Sequence, residues 1–395
     1  MTTVAGAFYG EVCVYPDWQQ NFGSGGRGAA ALSGHVHDLV LRTYVPKRFA
    51  DALTEHAQLY DYRAEPTFSE QFVRFEYYHC LSVPSILPAP ESLRHQAPIE
   101  VDDDVVLRFG MIEGSARVRA HTAVYDPQSA FEVEAFWDNG STADRIAIVA
   151  NRREIVRMGQ HEDPDEAARR LLERPDVEVV VMKSGPYGAR VFTGKGVYDV
   201  PPFASENVFT IGSGDVFAAT FTGAWAAEGQ EPVAAARIAS RAVAQYSDTM
   251  ALPVEALREE GQTEREPVAH RPGKVYLASP FFDMARRWLV EEARRGLREL
   301  GLDVFSPLHD VGRGPADVVA SADLEGLHDC DVMFALLDGL DPGTIFEIGY
   351  ARAKGIPVYA LCQNVAAEDL KMIEGSGCIV HGDFVTALHH VAWRR

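Results

Sequence analysis

No apolar run in this 395-residue chain approaches the roughly 18 residues of a membrane-spanning helix. The opening residues, MTTVAGAFYGEVCVYPDW, lack the basic start and apolar core of a secretion signal, so the chain is read as cytoplasmic with no membrane partner. Positive charge is scarce as well: 37 lysines and arginines face 57 acids, a net charge of -20, with no basic run at either end. Gripping a phosphate backbone takes clustered cations, which removes nucleic acid from the expected partners. The five cysteines are odd in number and form neither a CxxC pair nor a zinc-like spacing, which favours buried reduced thiols. The thirteen histidines include no HxxxH set, so no metal held directly by protein ligands is expected. A Walker A loop is excluded because GxxxxGK[ST] does not occur.

What the chain does have is length enough for two cores, since one core rarely grows beyond about 250 to 300 residues. The segment GQTEREPVAHRPG, residues 261–273, is polar, holds two prolines and shows no apolar period. It is the expected linker between a domain over 1–260 and another over 274–395. After it, short apolar strands (KVYLAS, LDVFSP, DVMFALLDG, IPVYALC) alternate with helical patterns, which predicts a doubly wound parallel sheet. The same alternation runs from RIAIVAN through VEVVVMKSG to a long helix from Gly214. Nearer the start, FVRFEYYHCLSVP is expected to be a strand, residues 84–104 a loop with a helical piece, and the first strand to end near Glu11.

In parallel α/β sheets ligands bind beyond the carboxyl ends of the strands. The C-terminal domain carries its unusual polar residues there: Tyr276, Ser279, Pro280, His309, Asp310, Asp338, Asp341 and Glu347, with Asp323 on a preceding helix. A carboxylate such as Glu347 within an apolar helix costs several kcal/mol to desolvate unless it is paired or used. Two readings stay open on the local pattern: pairing with Arg352 or capping of backbone groups, and nucleophilic attack on a sugar C1 with Asp341 or Asp323 handling the proton of the leaving base. VYLASPFF, FSPLHD, ADLEGLHDCDVMFALLDGLDPGTIFEIGYA and GIPVYAL together resemble the nucleoside 2-deoxyribosyltransferase family over about residues 274 to 365. The resemblance implies a flavodoxin-like domain with Glu347 as nucleophile, Asp341 and Asp323 contacting base and sugar, and Tyr276 steadying the nucleophile. Ser279, Pro280, His309 and Asp310 would contact substrate. The family also takes a residue from a neighbouring subunit, which implies a homo-oligomer. VAAEDLKMIEGSGCIVHGDF does not align with that segment, and Asn364 is the one candidate for it.

In the N-terminal domain, Gly212, Ser213 and Gly214 precede a long helix of small residues. Amides at such a helix start cradle phosphate oxygens, and Asp215 in the first turn is placed either to take a proton or to cap the helix. TIGSGD resembles the signature of the ribokinase-like (PfkB) carbohydrate kinases, and FGSGGRGAAA, VYDPQS, NRREI and VVVMKSGPYGARVF fall in that family's order over roughly residues 4 to 250. The resemblance implies a ribokinase-like α/β sandwich using ATP and Mg²⁺. Asp215 would be the base, with Gly212 to Asp215 as the anion hole and Asn151 and Glu154 organising the magnesium. Lys183, Ser184, Gly185 and Gly188 would lie near the nucleotide, and Gly25, Gly26 and Arg27 at the sugar. Two departures stand out: Ala30 replaces the usual asparagine, and the short span before Gly25 leaves little room for lid strands, so Glu11 or Asp17 is expected to replace the sugar-binding aspartate.

The sequence therefore predicts a bifunctional enzyme of nucleoside metabolism. It would cleave or transfer the N-glycosidic bond of a (deoxy)nucleoside or nucleotide through a glutamate nucleophile, and phosphorylate a sugar or nucleoside hydroxyl from ATP. The alternative is a nucleotide-sensing kinase-like module that regulates a C-terminal nucleosidase depleting a nucleotide pool.

Overall fold

The computed structural model describes residues 1–129 and 132–394. The chain divides into two compact units: Met1–Ser205 with Phe209–Val268, and Ala269–Arg395 with Glu206–Val208.

In the first unit the strands are β1 (Thr2–Ala5), β2 (Gly10–Cys13), β3 (Trp18–Asn21), β4 (Leu39–Pro46), β5 (Arg63–Ser69), β6 (Arg74–Tyr77), β7 (Ser85–Leu87), β8 (Ile99–Phe109), β9 (Ala116–Asp126), β10 (Thr142–Asn151), β11 (Val177–Lys183), β12 (Ala189–Thr193) and β13 (Gly196–Val200). Its helices are α1 (Gly23–Leu32), α2 (Ala50–Leu59), α3 (Arg152–Met158), α4 (Pro164–Leu172), α5 (Ser213–Thr222) and α6 (Pro232–Thr249). Among the described residues, nine strands form one sheet in the order β13-β12-β11-β10-β9-β8-β1-β4-β5, parallel except for β12 and β13. The central strands are near-continuous apolar runs because helices cover both faces; Ile146 to Ala150 on β10 are fully buried.

Two expectations about this unit are corrected. The first strand ends at Ala5, not near Glu11, and Glu11 lies on β2 of a separate four-stranded sheet, β3-β2-β6-β7. A second sheet does form beside the main one, with residues 74–87 contributing half of its strands. Residues 84–104 are not mainly loop, since β8 begins at Ile99 and runs through the aspartate-rich EVDDDVV. The run reads as loop by composition, yet its side chains alternate in exposure, and Asp103 accepts a hydrogen bond from the Thr3 hydroxyl at 2.7 Å.

The second unit contains β14 (Lys274–Ala278), α7 (Met284–Glu299), β15 (Asp303–Phe305), α8 (Ala316–His328), β16 (Val332–Leu336), α9 (Pro342–Ala353), β17 (Val358–Leu361), α10 (Ala367–Gly375), β18 (Ile379–His381) and α11 (Phe384–Trp393). Its sheet is parallel throughout, in the order β15-β14-β16-β17-β18. In α7, Val290, Ala293, Gly296 and Leu297 face the core at helical spacing, and Asp283 caps the start by accepting from the Arg286 amide. Strand order reverses at β14, so the loops after β14 and β16 diverge and leave a crevice at the strand ends.

Among the described residues no helix is long and apolar enough to cross a membrane, and all five cysteines are buried.

Candidate active sites

The crevice of the second unit gathers the expected carboxylates. Tyr276 is buried on β14, its ring stacked on Phe305, and its hydroxyl donates to Glu347 Oε1 at 2.7 Å. Glu347 lies in the second turn of α9. Burial, reinforced by the charges of Asp323 and Asp341, pushes its carboxyl up to about 7 although the Tyr276 hydrogen bond pulls it down. The Tyr276 hydroxyl is raised too, by burial first and then by Glu347. Asp323, on α8, has a buried Oδ1 with no hydrogen-bond partner, and burial raises its carboxyl. Asp341 is the N-cap of α9, with Oδ2 accepting from the Thr344 amide at 2.9 Å and hydroxyl at 3.3 Å.

Other expected residues have structural partners at the same strand ends. Asp310 accepts from the Ser306 amide at 2.7 Å, and His309 is held between Ser306 Oγ at 3.1 Å and Glu291 at 2.8 Å. The backbone amides of Asn364 and Gln363 donate to Asp338 Oδ1, at 2.7 and 2.9 Å. Ser279 is buried, and Pro280 lines a cavity of about 200 Å³ with Arg286, Leu289, Asp338 and Gly339. Arg286 was not singled out in the sequence, because it sits in a run of arginines that reads as the solvated face of α7.

In the first unit, α5 begins at Ser213 after Gly212, whose φ of 77° is left-handed and suits glycine. The amides of Gly214 and Asp215 lie in the first turn, where no intrahelical acceptor exists, whereas the Ser213 amide is spent on the Thr210 carbonyl at 3.1 Å. Asp126, Asn151 and Lys183 sit at the carboxyl ends of adjacent parallel strands. Lys183 pairs with Asp126, whose Oδ1 is buried without a hydrogen-bond partner, and the Lys183 ammonium lies 3.5 Å from where a Cβ at Gly214 would stand. Two free amides, a lysine and an orphaned acceptor in one place fit a polyphosphate with its divalent cation.

Asn151 and Glu154 form a capping box on α3, and Glu154 also accepts from the Ser129 amide at 3.1 Å. In the turn between β11 and β12, the Ser184 amide closes on the Gly188 carbonyl at 2.8 Å, Gly185 (φ 55°) faces open space, and a Cβ at Gly188 would overlap the Val200 carbonyl. Gly25 packs its backbone against the Gly6 carbonyl and Gly26 faces the Phe8 ring, so these glycines let α1 approach β1.

Arg27 departs most from its expected role. Its side chain is completely buried, donating from Nη1 and Nη2 to Glu11, from Nη1 to Asp215 Oδ2 at 2.8 Å, and from Nε to the Tyr246 hydroxyl at 3.2 Å. The other Asp215 oxygen accepts from the Gln128 amide. Burial raises the Glu11 carboxyl, with Arg27 pulling it down and Asp215 adding to the rise. Asp17 is exposed in the turn between β2 and β3. Gln128 and Asp126 were within reach of sequence reasoning as part of VYDPQS; Tyr246, deep in α6, gave no signal.

Comparison with known proteins divides the chain in the same way. Residues 145–254 match the family model of the pfkB family carbohydrate kinases, and residues 275–381 match that of nucleoside 2-deoxyribosyltransferase. A comparison with curated proteins finds no match. Similar solved structures include ribokinase from Thermotoga maritima (15% identity, 64% of this chain and 96% of that one, TM-score 0.45). A fructokinase from Vibrio cholerae in its fructose, ADP and calcium ion bound form shows 13% identity over 65% and 96%, with a TM-score of 0.48. A nucleoside kinase from Methanocaldococcus jannaschii shows 12% identity over 64% and 95%, with a TM-score of 0.47. The chain joins a PfkB-like kinase unit to a nucleoside 2-deoxyribosyltransferase-like unit.

Proposed function

We propose that the second unit cleaves or transfers the N-glycosidic bond of a (deoxy)nucleoside or nucleotide through Glu347, and that the first unit is a cytoplasmic kinase-type module that binds ATP with Mg²⁺. The observation that carries the first half is the Tyr276 hydroxyl on Glu347 Oε1 at 2.7 Å beside the unpartnered Asp323. Tyr276 fixes one oxygen and leaves Oε2 to attack the sugar C1. The C1–N bond breaks with its electron pair passing to the base, which is protonated by Asp341 or Asp323, and a glycosyl ester forms on Glu347. Water or a second base then attacks C1 and returns the carboxylate. The exposed apolar side chains of Phe282, Met284, Val318 and Phe346 at the starts of α7, α8 and α9 support self-association into a homo-oligomer.

In the first unit the amides of Gly214 and Asp215 and the Lys183 ammonium are assigned to phosphate oxygens. Bound MgATP supplies the phosphoryl group, and phosphorylation of a sugar or nucleoside hydroxyl would have Asp215 take the hydroxyl proton. The second reading, in which the unit senses nucleotide and regulates the glycosidase, is favoured by the engagement of both Asp215 oxygens.

The test incubates the purified protein with nucleosides and nucleoside monophosphates, with and without MgATP, and follows free base by chromatography. Base release that vanishes in Glu347→Ala is expected. No release from any substrate, with or without an acceptor base, would sink the glycosidic reading, and a dependence of release on ATP would select the sensing reading over independent kinase action.

A further inference from the structure

We propose that Arg27 occupies the phosphoryl-acceptor position of the first unit, so that this unit binds ATP without passing its phosphoryl group to a sugar or nucleoside hydroxyl. The inference rests on the reading of that unit as an ATP-binding module. A general base must present a carboxylate oxygen to the hydroxyl it deprotonates, within hydrogen-bond reach. Both Asp215 oxygens already hold a protein donor, Oδ2 the Arg27 Nη1 at 2.8 Å and Oδ1 the Gln128 side-chain amide, so a hydroxyl would have to share or displace one of them.

The arrangement is built from several directions. A Cβ at Gly212 would overlap the Arg27 guanidinium, so only glycine admits the arginine beneath the loop that starts α5. The Tyr246 hydroxyl accepts from Arg27 Nε and donates to the Ile211 carbonyl at 3.0 Å, which ties the guanidinium to that loop. Gln128 sits at φ 44°, a left-handed value uncommon outside glycine, and its side-chain amide meets Asp215. Glu11, on β2 of the four-stranded sheet, takes both terminal nitrogens of Arg27.

A neutral hydroxyl entering the site would have to replace a charge-assisted bond with a weaker one. It would also leave a buried guanidinium short of a partner. Arg27 thus excludes neutral acceptors from Asp215 while leaving the amides of Gly214 and Asp215 and the Lys183 side open to phosphate.

Three proteins test this: the full-length chain, Arg27→Lys, and the charge-balanced double variant Arg27→Ala with Glu11→Gln. MgATP binding is measured by calorimetry, and ADP release is followed with a panel of sugars and nucleosides. The unaltered protein is expected to bind MgATP and to release ADP no faster with any acceptor than without one. Lysine keeps the charge but cannot bridge two carboxylates as a planar fork does, so Arg27→Lys and the double variant are expected to show acceptor-dependent ADP release raised about 10²-fold. Adding Asp215→Asn should abolish that rise.

Acceptor-dependent turnover by the unaltered protein that Asp215→Asn abolishes would overturn the proposal and leave the kinase reading intact. No rise in whichever variant retains its thermal unfolding transition would overturn it too. Absence of MgATP binding in the unaltered protein would remove the nucleotide reading and this inference with it.

Discussion

Glu347 and Asp215 each lie in an early turn of a helix, after the parallel strand β16 for Glu347 and after the antiparallel strand β13 for Asp215, and their surroundings differ in charge. Asp215 faces a guanidinium and an amide, and each of its oxygens is taken by a protein donor. Glu347 faces a tyrosine hydroxyl and two further carboxylates, and burial pushes it up to about 7. An acid whose two oxygens each hold a protein donor is tied into the packing, whereas a buried acid beside other acids is pushed up in pKa. The surroundings of each acid are thus decided by which partners the neighbouring elements deliver.

The contrast is broken most directly at the proposed nucleophile, Glu347. Glu347→Ala should lower base release by about 10³- to 10⁴-fold or more, since a missing nucleophile is not compensated by positioning alone; loss under tenfold, measured as initial rate, would deny it that role. Gly212→Ala tests whether the other site is a packed ion-pair structure. The added methyl must enter a left-handed backbone and the space of the Arg27 guanidinium, so a loss of about 2 to 4 kcal/mol in denaturant unfolding of the first unit is expected. An unchanged midpoint would mean that the loop and Arg27 move apart freely.

Glu347→Gln should act in the opposite direction on stability. The folded carboxyl titrates about 7 against an ordinary 4.5. Below the lower value both states are protonated and the residue is neutral to folding. Between the two values the unfolded state gives up its proton first, so stability falls as pH rises, and above 7 the whole cost is present. The substitution should therefore stabilise the second unit by at most about 3 kcal/mol at pH 8 and by little at pH 4.5; melting curves at the two pH values would show whether the gain has that pH dependence.

The smallest effect is expected from Tyr276→Phe. Removing the donor takes away the one interaction that lowers the Glu347 carboxyl, so the acid limb of kcat/KM should move up by about one pH unit, roughly tenfold in rate at pH 6. A uniform loss at every pH would assign Tyr276 to packing instead.

Much of this was legible in the sequence. Strand-helix alternation after residue 274 gives the doubly wound sheet, because period and apolar runs are local properties of the chain. The Glu347, Tyr276, Asp323 and Asp341 group was readable from ordered motifs at the strand ends, where parallel sheets bind ligands. The four-stranded sheet was not, since β2 pairs with β6 more than sixty residues away, and a strand's partners leave no mark in its own composition. The aspartate run in β8 was missed because residue type suggested loop while alternation of exposure decided strand.

What the sequence alone determined is the pair of α/β units and the residue types available at each strand end. Which of those residues meet was settled only by tertiary structure. Glu11, Arg27, Gln128, Asp215 and Tyr246 are scattered over most of the first unit, and nothing in their spacing announces that three of them converge on the guanidinium of Arg27 or that Arg27 and Gln128 share one carboxylate. Electrostatic state depends on distances of a few ångströms between side chains, and the packing of β2, α1, α5 and α6 sets those distances.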